Sequence, residues 1–92
     1  DLRTQHIATG RKARLLAAKG EYDAALALLV ASDEAFKASF LEITGDIYLM
    51  QNDSDAAKDS YLSAYKLVQD EPQRAPLLGV KLSDLGVDTR SL

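Results

Sequence analysis

The sequence predicts an all-α fold of stacked helix–turn–helix units, and three observations predict it. Apolar residues recur three or four apart along most of the chain, which is the spacing of one helix face. An echo runs through the chain at an interval of 32 residues: Ala13 and Gly45 are small residues in register, Gly20 and Asn52 are turn residues, and Ala25 and Ala57 are a second small pair. Self-similarity at a fixed period of about 20–50 residues marks architectures whose units bury their apolar faces by stacking. No stretch alternates apolar and polar residues as a half-buried strand does.

Composition bounds the answer. At 92 residues, 47% hydrophobic and 27% charged, the chain reads as one small globular domain. Its start at Asp1, inside a helical pattern, is what an excised part of a longer chain would show. Cysteine is absent, which excludes disulfides, thiolate catalysis and cysteine-bound metals. No apolar run reaches the ~18–20 residues that cross a bilayer. The net charge of −3 is unevenly spread. Residues 1–20 carry five basic side chains against Asp1, and residues 21–71 carry eleven acids against three lysines. A basic first helix therefore faces an acidic body. The acidic whole, and a basic stretch without interleaved aromatics, point away from nucleic acid.

Five helices are expected. The first spans about residues 2–19, with Leu2, His6, Thr9, Ala13, Leu16 and Ala17 on one face. Gly10 inside it costs about 1 kcal/mol relative to alanine, and either a kink or a close helix approach explains it. Gly20 ends the helix in the left-handed conformation. The second, about 21–31, turns Tyr22, Ala25, Leu26 and Leu29 inward, with Glu21 and Asp23 at its positive end. Ser32 and Asp33 supply cap chemistry for a third helix, about 34–51. Its main stripe is Phe36, Phe40, Leu41, Gly45 and Tyr48, and a second stripe is Ile43, Ile47 and Met50. A helix apolar on two sides is buried on two sides, so this one belongs at the centre. Asn52 takes the role of Gly20, and Asp53 or Ser54 caps a fourth helix running to about residue 69, with Ala57, Tyr61, Ala64, Tyr65 and Val68 inward. Asp70-Glu71-Pro72 breaks it. Pro76 opens a fifth helix that buries Leu78, Leu82 and Leu85 and stops at Gly86, leaving Val87–Leu92 as a frayed tail. The organisation is a repeat at about 2–31, a second at about 33–69, a capping helix at about 74–86 and a tail at 87–92.

Ala13, Leu16, Gly20, Tyr22, Ala25 and Leu29, then Gly45, Tyr48, Ala57, Tyr61 and Ala64, resemble the tetratricopeptide repeat, a helix–turn–helix unit of about 34 residues. The chain departs from that pattern in its spacing of 32, in Lys12 at a usually apolar place, and in lacking a proline at the close of each repeat. A narrower resemblance rests on Arg14 through Leu29, on Gly45-Asp46-Ile47-Tyr48 with Asn52-Asp53, and on Pro76 through Leu85 with its Lys-Leu-x-Asp-Leu ending. These stretches are similar to the C-terminal repeats of the ancillary subunits of the bacterial SecYEG translocon. The resemblance implies a periplasmic domain behind an N-terminal membrane anchor, with translocon subunits or periplasmic chaperones as partners.

Little in the chain suggests chemistry. His6 is the only histidine, and a lone histidine near a helix start is ordinarily a partly buried or solvated residue. Asn52-Asp53-Ser54-Asp55 looks like a calcium loop, but Ala57, Lys58 and Ala64 stand where that loop wants an oxygen ligand, a glycine and a glutamate. No phosphate loop and no serine–histidine–acid set is present, so no enzyme and no cofactor is expected. The four tyrosines read as packing residues.

The best polar constellation sets Arg11 and Arg14 against Glu42 and Asp46. In tetratricopeptide stacks the first helices of successive repeats line a concave groove, and Arg14 and Asp46 are 32 apart. Two readings stay open. One is an inter-repeat salt bridge; in the other, the arginines meet an acidic segment of a partner. Ile43, Ile47 and Met50 are core or an apolar groove floor. The candidate partner-binding residues are therefore Arg11, Arg14, Glu42, Asp46 and Met50. The expected function is reversible protein binding, with a cytosolic adaptor or an oligomerisation and spacer module as alternatives. The fragment's N-terminal edge is also expected to drive dimerisation.

Overall fold

The computed structural model describes residues 1–30 and 34–92. The cap expected at Ser32-Asp33 and the last residue of the expected second helix lie outside them. Among the described residues the chain forms five α-helices: α1 Leu2–Ala18, α2 Tyr22–Leu28, α3 Lys37–Met50, α4 Ser54–Val68 and α5 Ala75–Asp84. One 3-10 turn, Glu34–Phe36, leads into α3, and another, Thr89–Ser91, follows α5.

Local chemistry sets the ends. Asp1 Oδ1 accepts the Thr4 N–H at 2.8 Å, and Asp53 Oδ1 accepts the Ala56 N–H at 3.1 Å, capping α1 and α4. Gly20 at φ 82° and Asn52 at φ 60° take the left-handed conformation expected of them. Around Gly20 the Glu21 N–H reaches the Leu16 carbonyl at 2.9 Å and the Gly20 N–H the Ala17 carbonyl at 2.9 Å. Around Asn52 the Asp53 N–H reaches Tyr48 at 2.9 Å and the Asn52 N–H reaches Leu49 at 3.0 Å. Both are Schellman turns, which satisfy carbonyls the helix leaves open. A third copy closes α5, where Val87 bonds Leu82 and Gly86 bonds Ser83, each at 2.9 Å. Ala13, Gly45 and Gly79 stand seven residues before the three turn residues. The helix that closes the fold thus ends as α1 and α3 do, and the echo has a third member at an interval of 34.

The helices pack as a flat slab of 34 × 32 × 16 Å. α3 lies at its centre and is shared by two cores. Phe40 and Ile47 join Ala13, Ala17 and Ala25 of α1 and α2 and Leu29, which caps the end of α2. Ala38, with partly buried Leu41 and Tyr48, joins Ala57, Tyr61, Ala64, Val68, Leu78 and Leu82 of α4 and α5. The small residues of the echo are what allow these approaches. A Cβ on Gly45 would stand 2.5 Å from Tyr61 Cε1, so only a hydrogen fits beneath that ring. At Gly10 the explanation is close approach and not a kink: α1 runs through unbroken, and a Cβ there would meet Ile43 Cδ1 at 2.9 Å.

Three expectations need correction. Leu2 is exposed and does not join the α1 face. The segment after Gly86 is not frayed: Val87 packs on the α4–α5 core, and Asp88 Oδ1 caps the following turn by accepting the Arg90 N–H at 2.9 Å. The second stripe of α3 divides, with Ile47 in the core, Ile43 half-buried, and Met50 46% exposed at the helix end.

Gly45→Ala should cost about 1–3 kcal/mol, because the Tyr61 ring is held at both ends and the new methyl overpacks the site. Gly10→Ala meets only the tip of a flexible isoleucine and gains about 1 kcal/mol of helix propensity, so its effect should be near zero. Urea denaturation of both variants checks the contrast, and equal losses would refute it.

Candidate functional site

Two features share the face formed by α1, α3 and α5: a polar junction and, beside it, an apolar cleft. The junction is centred on Asp46. Glu42 and Asp46 are one turn apart on α3 and project together. Arg14 Nη2 of α1 lies 3.0 Å from Asp46 Oδ2, forming the inter-repeat salt bridge. From α5, Lys81 Nζ reaches Asp46 Oδ1 at 2.9 Å and Glu42 Oε2 at 2.7 Å. From α4, the Tyr61 hydroxyl donates to Asp46 Oδ1. The Tyr61 ring also lies 5.4 Å from Lys81 Nζ, in cation–π range. Gly45 makes this geometry possible: the Tyr61 ring occupies the place where a side chain on Gly45 would stand, and its hydroxyl reaches the next residue's carboxylate.

The charges answer to this arrangement. Burial raises the cost of ionising Asp46, but the bonds from Tyr61, Lys81 and Arg14 and the Lys81 charge outweigh it, and the pKa is lowered from 3.8. Burial likewise disfavours the Lys81 ammonium, yet Glu42 and Asp46 outweigh it and its pKa is raised from 10.5. Burial, then the bond to Asp46, pushes the Tyr61 hydroxyl above the usual tyrosine range, so it stays a donor.

The sequence pairing of two arginines with two acids is half realised. Arg14 binds Asp46, but Glu42 takes Lys81 instead of Arg11. Arg11 is exposed and its guanidinium has no hydrogen-bond or ion-pair partner among the described residues. It lines the cleft between α1 and α3, which holds about 240 Å³. Ile7, Gly10 and Arg14 complete the α1 wall, and Phe36, Phe40 and Ile43 are the apolar side of the other. His6 forms the end of the cleft: its ring stacks on Phe36 at 3.8 Å and its Nδ1 lies 2.6 Å from the Leu2 carbonyl. Of the remaining candidates, Met50 does not line this cleft.

A family model described as a tetratricopeptide repeat-like domain matches residues 1–87. The chain belongs to that family. No curated protein and no solved structure matches it significantly. In a tetratricopeptide-like domain the shared face of α1, α3 and α5 is the face of successive first helices, and junction and cleft both lie on it. Such domains generally bind other proteins and are typically non-catalytic, and the arrangement here fits that role. The carboxylates are consumed by cations, and no group of three or more metal-ligating side chains occurs among the described residues.

A second hollow, of about 510 Å³, lies between α5 and the closing turn. Its charged groups neutralise each other, with Arg90 Nε 3.1 Å from Asp88 Oδ1, so it offers a partner no free charge. Sequence reasoning missed Lys81 and the hydroxyl of Tyr61. The third echo member makes α5 another first helix but does not single out Lys81: the place matching Arg14 and Asp46, six before the turn residue, is Val80, and Lys81 matches Leu15 and Ile47.

Stability against pH follows from the shifts. Asp46 contributes fully above its ordinary value, and that contribution is lost as pH falls through its lowered one. Lys81 contributes fully below its ordinary value, and its share is lost as pH rises through its raised one. Asp46→Asn should therefore cost about 1–3 kcal/mol at neutral pH and flatten the acid limb of the stability curve. Chemical denaturation from pH 2.5 to 7 measures it; an unchanged acid limb would contradict the role assigned to Asp46.

Proposed function

We propose that this domain binds another protein reversibly by seating a segment of it in the α1–α3 cleft. The observation that carries the reading is the apolar lining of Ile7, Phe36 and Ile43 beside Arg11, which has no hydrogen-bond or ion-pair partner among the described residues. Both walls are built largely on helices, so a segment docks without large rearrangement. The finer proposal is that the chain is the periplasmic part of a membrane-anchored ancillary translocon subunit, acting with translocon subunits or periplasmic chaperones. Its support is the likeness of residues 14–29 and of Pro76 through Leu85 to that family's C-terminal repeats. No helix among the described residues is long and apolar enough to cross a membrane, so any anchoring in this proposal falls to sequence outside them.

A crosslinking capture tests both levels. The domain and its Arg11→Glu variant are exposed to membrane and periplasmic extract of the source, and captured proteins are identified by mass spectrometry. Arg14 is left intact because it holds Asp46. Recovery of translocon subunits or periplasmic chaperones by the parent, reduced several-fold in the variant, is the expected result. Equal recovery by both forms would move binding off the cleft, and recovery of unrelated proteins would remove the translocon assignment.

Self-association is a second reading, favoured by the exposure of Leu2, Ile7 and Leu15 on α1. Light scattering over a concentration series should then show dimers that Leu15→Ser weakens, and a strict monomer at millimolar concentration would exclude it.

A further inference from the structure

The cleft and the junction together specify what kind of segment fits, and this step rests on the cleft being the binding site. At about 240 Å³ the cleft is smaller than the roughly 300–1,000 Å³ of sites that enclose a whole small molecule, and is of the size for one or two side chains. Its floor is Phe40, which is 4% exposed, and Ile43 and Phe36 rise beside it, so the side chains it takes are apolar. From His6 to Arg14 the α1 wall is about 12 Å long at 1.5 Å per residue, which matches three or four residues of extended chain.

Charge decides the rest. Arg11, Arg14 and Lys81 bring three positive charges to this face, and Glu42 and Asp46 bring two negative ones; Arg74, which donates to the cleft residue Ser39 at 3.2 Å, is balanced by Glu71 at 3.4 Å. Arg14 and Lys81 are engaged with Asp46 and Glu42, so among the described residues the unit of excess charge resides on Arg11. One carboxylate neutralises it through a charge-assisted guanidinium pair, whereas a doubly charged phosphate would leave the face negative. Arg11 also stands midway along the wall, with Ile7 a turn to one side and Arg14 a turn to the other. A chain seated on the whole wall passes Arg11 instead of ending there.

We propose that the occupant is an internal, extended partner segment in which an aspartate or glutamate stands beside one or two large apolar residues. The acid pairs with Arg11, and the apolar residues fill the space between Ile7, Phe36 and Ile43. Arg14 does not contact the acid; it keeps α1 in register with α3 through Asp46.

The test is an amide-resolved NMR titration of the 92-residue protein. The probes are acetylated, amidated peptides of sequence Gly-Ser-Leu-Asp-Phe-Ser-Gly and its Asn counterpart. Expected are shifts at His6, Ile7, Gly10, Arg11 and Ile43, affinity for the Asp peptide about tenfold above the Asn peptide, and loss of that preference in Arg11→Gln. The variant's own spectrum reports that it is folded, and Leu67→Ser, on the exposed side of α4 away from the cleft, serves as the unaffected control. Equal binding of both peptides in the cleft would overturn the proposed acid and leave the cleft as the site. Shifts elsewhere, or none with either peptide at several millimolar, would overturn the proposal outright, while the crosslinking comparison judges the cleft independently.

Discussion

A single carboxylate ties together helices that lie far apart in the chain. Asp46 takes a guanidinium from α1, a hydroxyl from α4 and an ammonium from α5, so each of the chain's helix pairs is referred to the same point on α3. Pairing a half-buried carboxylate with one cation often does little more than offset its desolvation. Three donors change the balance, which is why Asp46 is more acidic than an ordinary aspartate despite its burial. The arrangement in turn depends on the absence of a side chain at Gly45. Without that gap the Tyr61 ring would be pushed off α3 and its hydroxyl away from the carboxylate.

The same junction divides the labour of the arginines. Arg14 and Arg11 are neighbours on one face of α1 and look equivalent in the sequence. Arg14 is committed to architecture, whereas Arg11 is left facing an apolar cleft with its charge unanswered. Lys81 holds Glu42 and shares Asp46 with Arg14, so both acids of the constellation are paired with other cations and Arg11 has neither.

What was legible in the sequence was local. Turn residues announce themselves because only glycine and asparagine accept the left-handed conformation easily, and Gly20 and Asn52 both adopt it. The two-sided burial of α3 was legible from its two apolar stripes. Features that depend on the meeting of distant residues were not. Lys81 on an amphipathic helix looks like any solvated lysine, and the third turn at Gly86, which makes α5 a counterpart of α1 and α3, does not single it out. The tyrosine hydroxyl was hidden behind the obvious packing role of its ring. Met50 was left open between core and groove floor, because a stripe drawn on an ideal helix takes no account of where the helix stops: it is the last residue of α3 and lies outside both cores. The tail was misread because Val87 has no partners in sequence, only in space.

The division of the core has a consequence for energetics. α3 belongs to both halves, but the α1–α2 pair is held by one half alone, together with the Arg14 bridge. In such an assembly the α1–α2 hairpin can open while α3–α5 stays folded, at a smaller free energy than global unfolding. The cleft straddles that seam. A bound segment would touch both sides of it and would add its own binding free energy to the hairpin's hold on the rest. Occupancy and local order are thus linked: amide protons of α1 and α2 should become slower to exchange as the cleft fills, while those at the centre of α3, limited already by global unfolding, would change least.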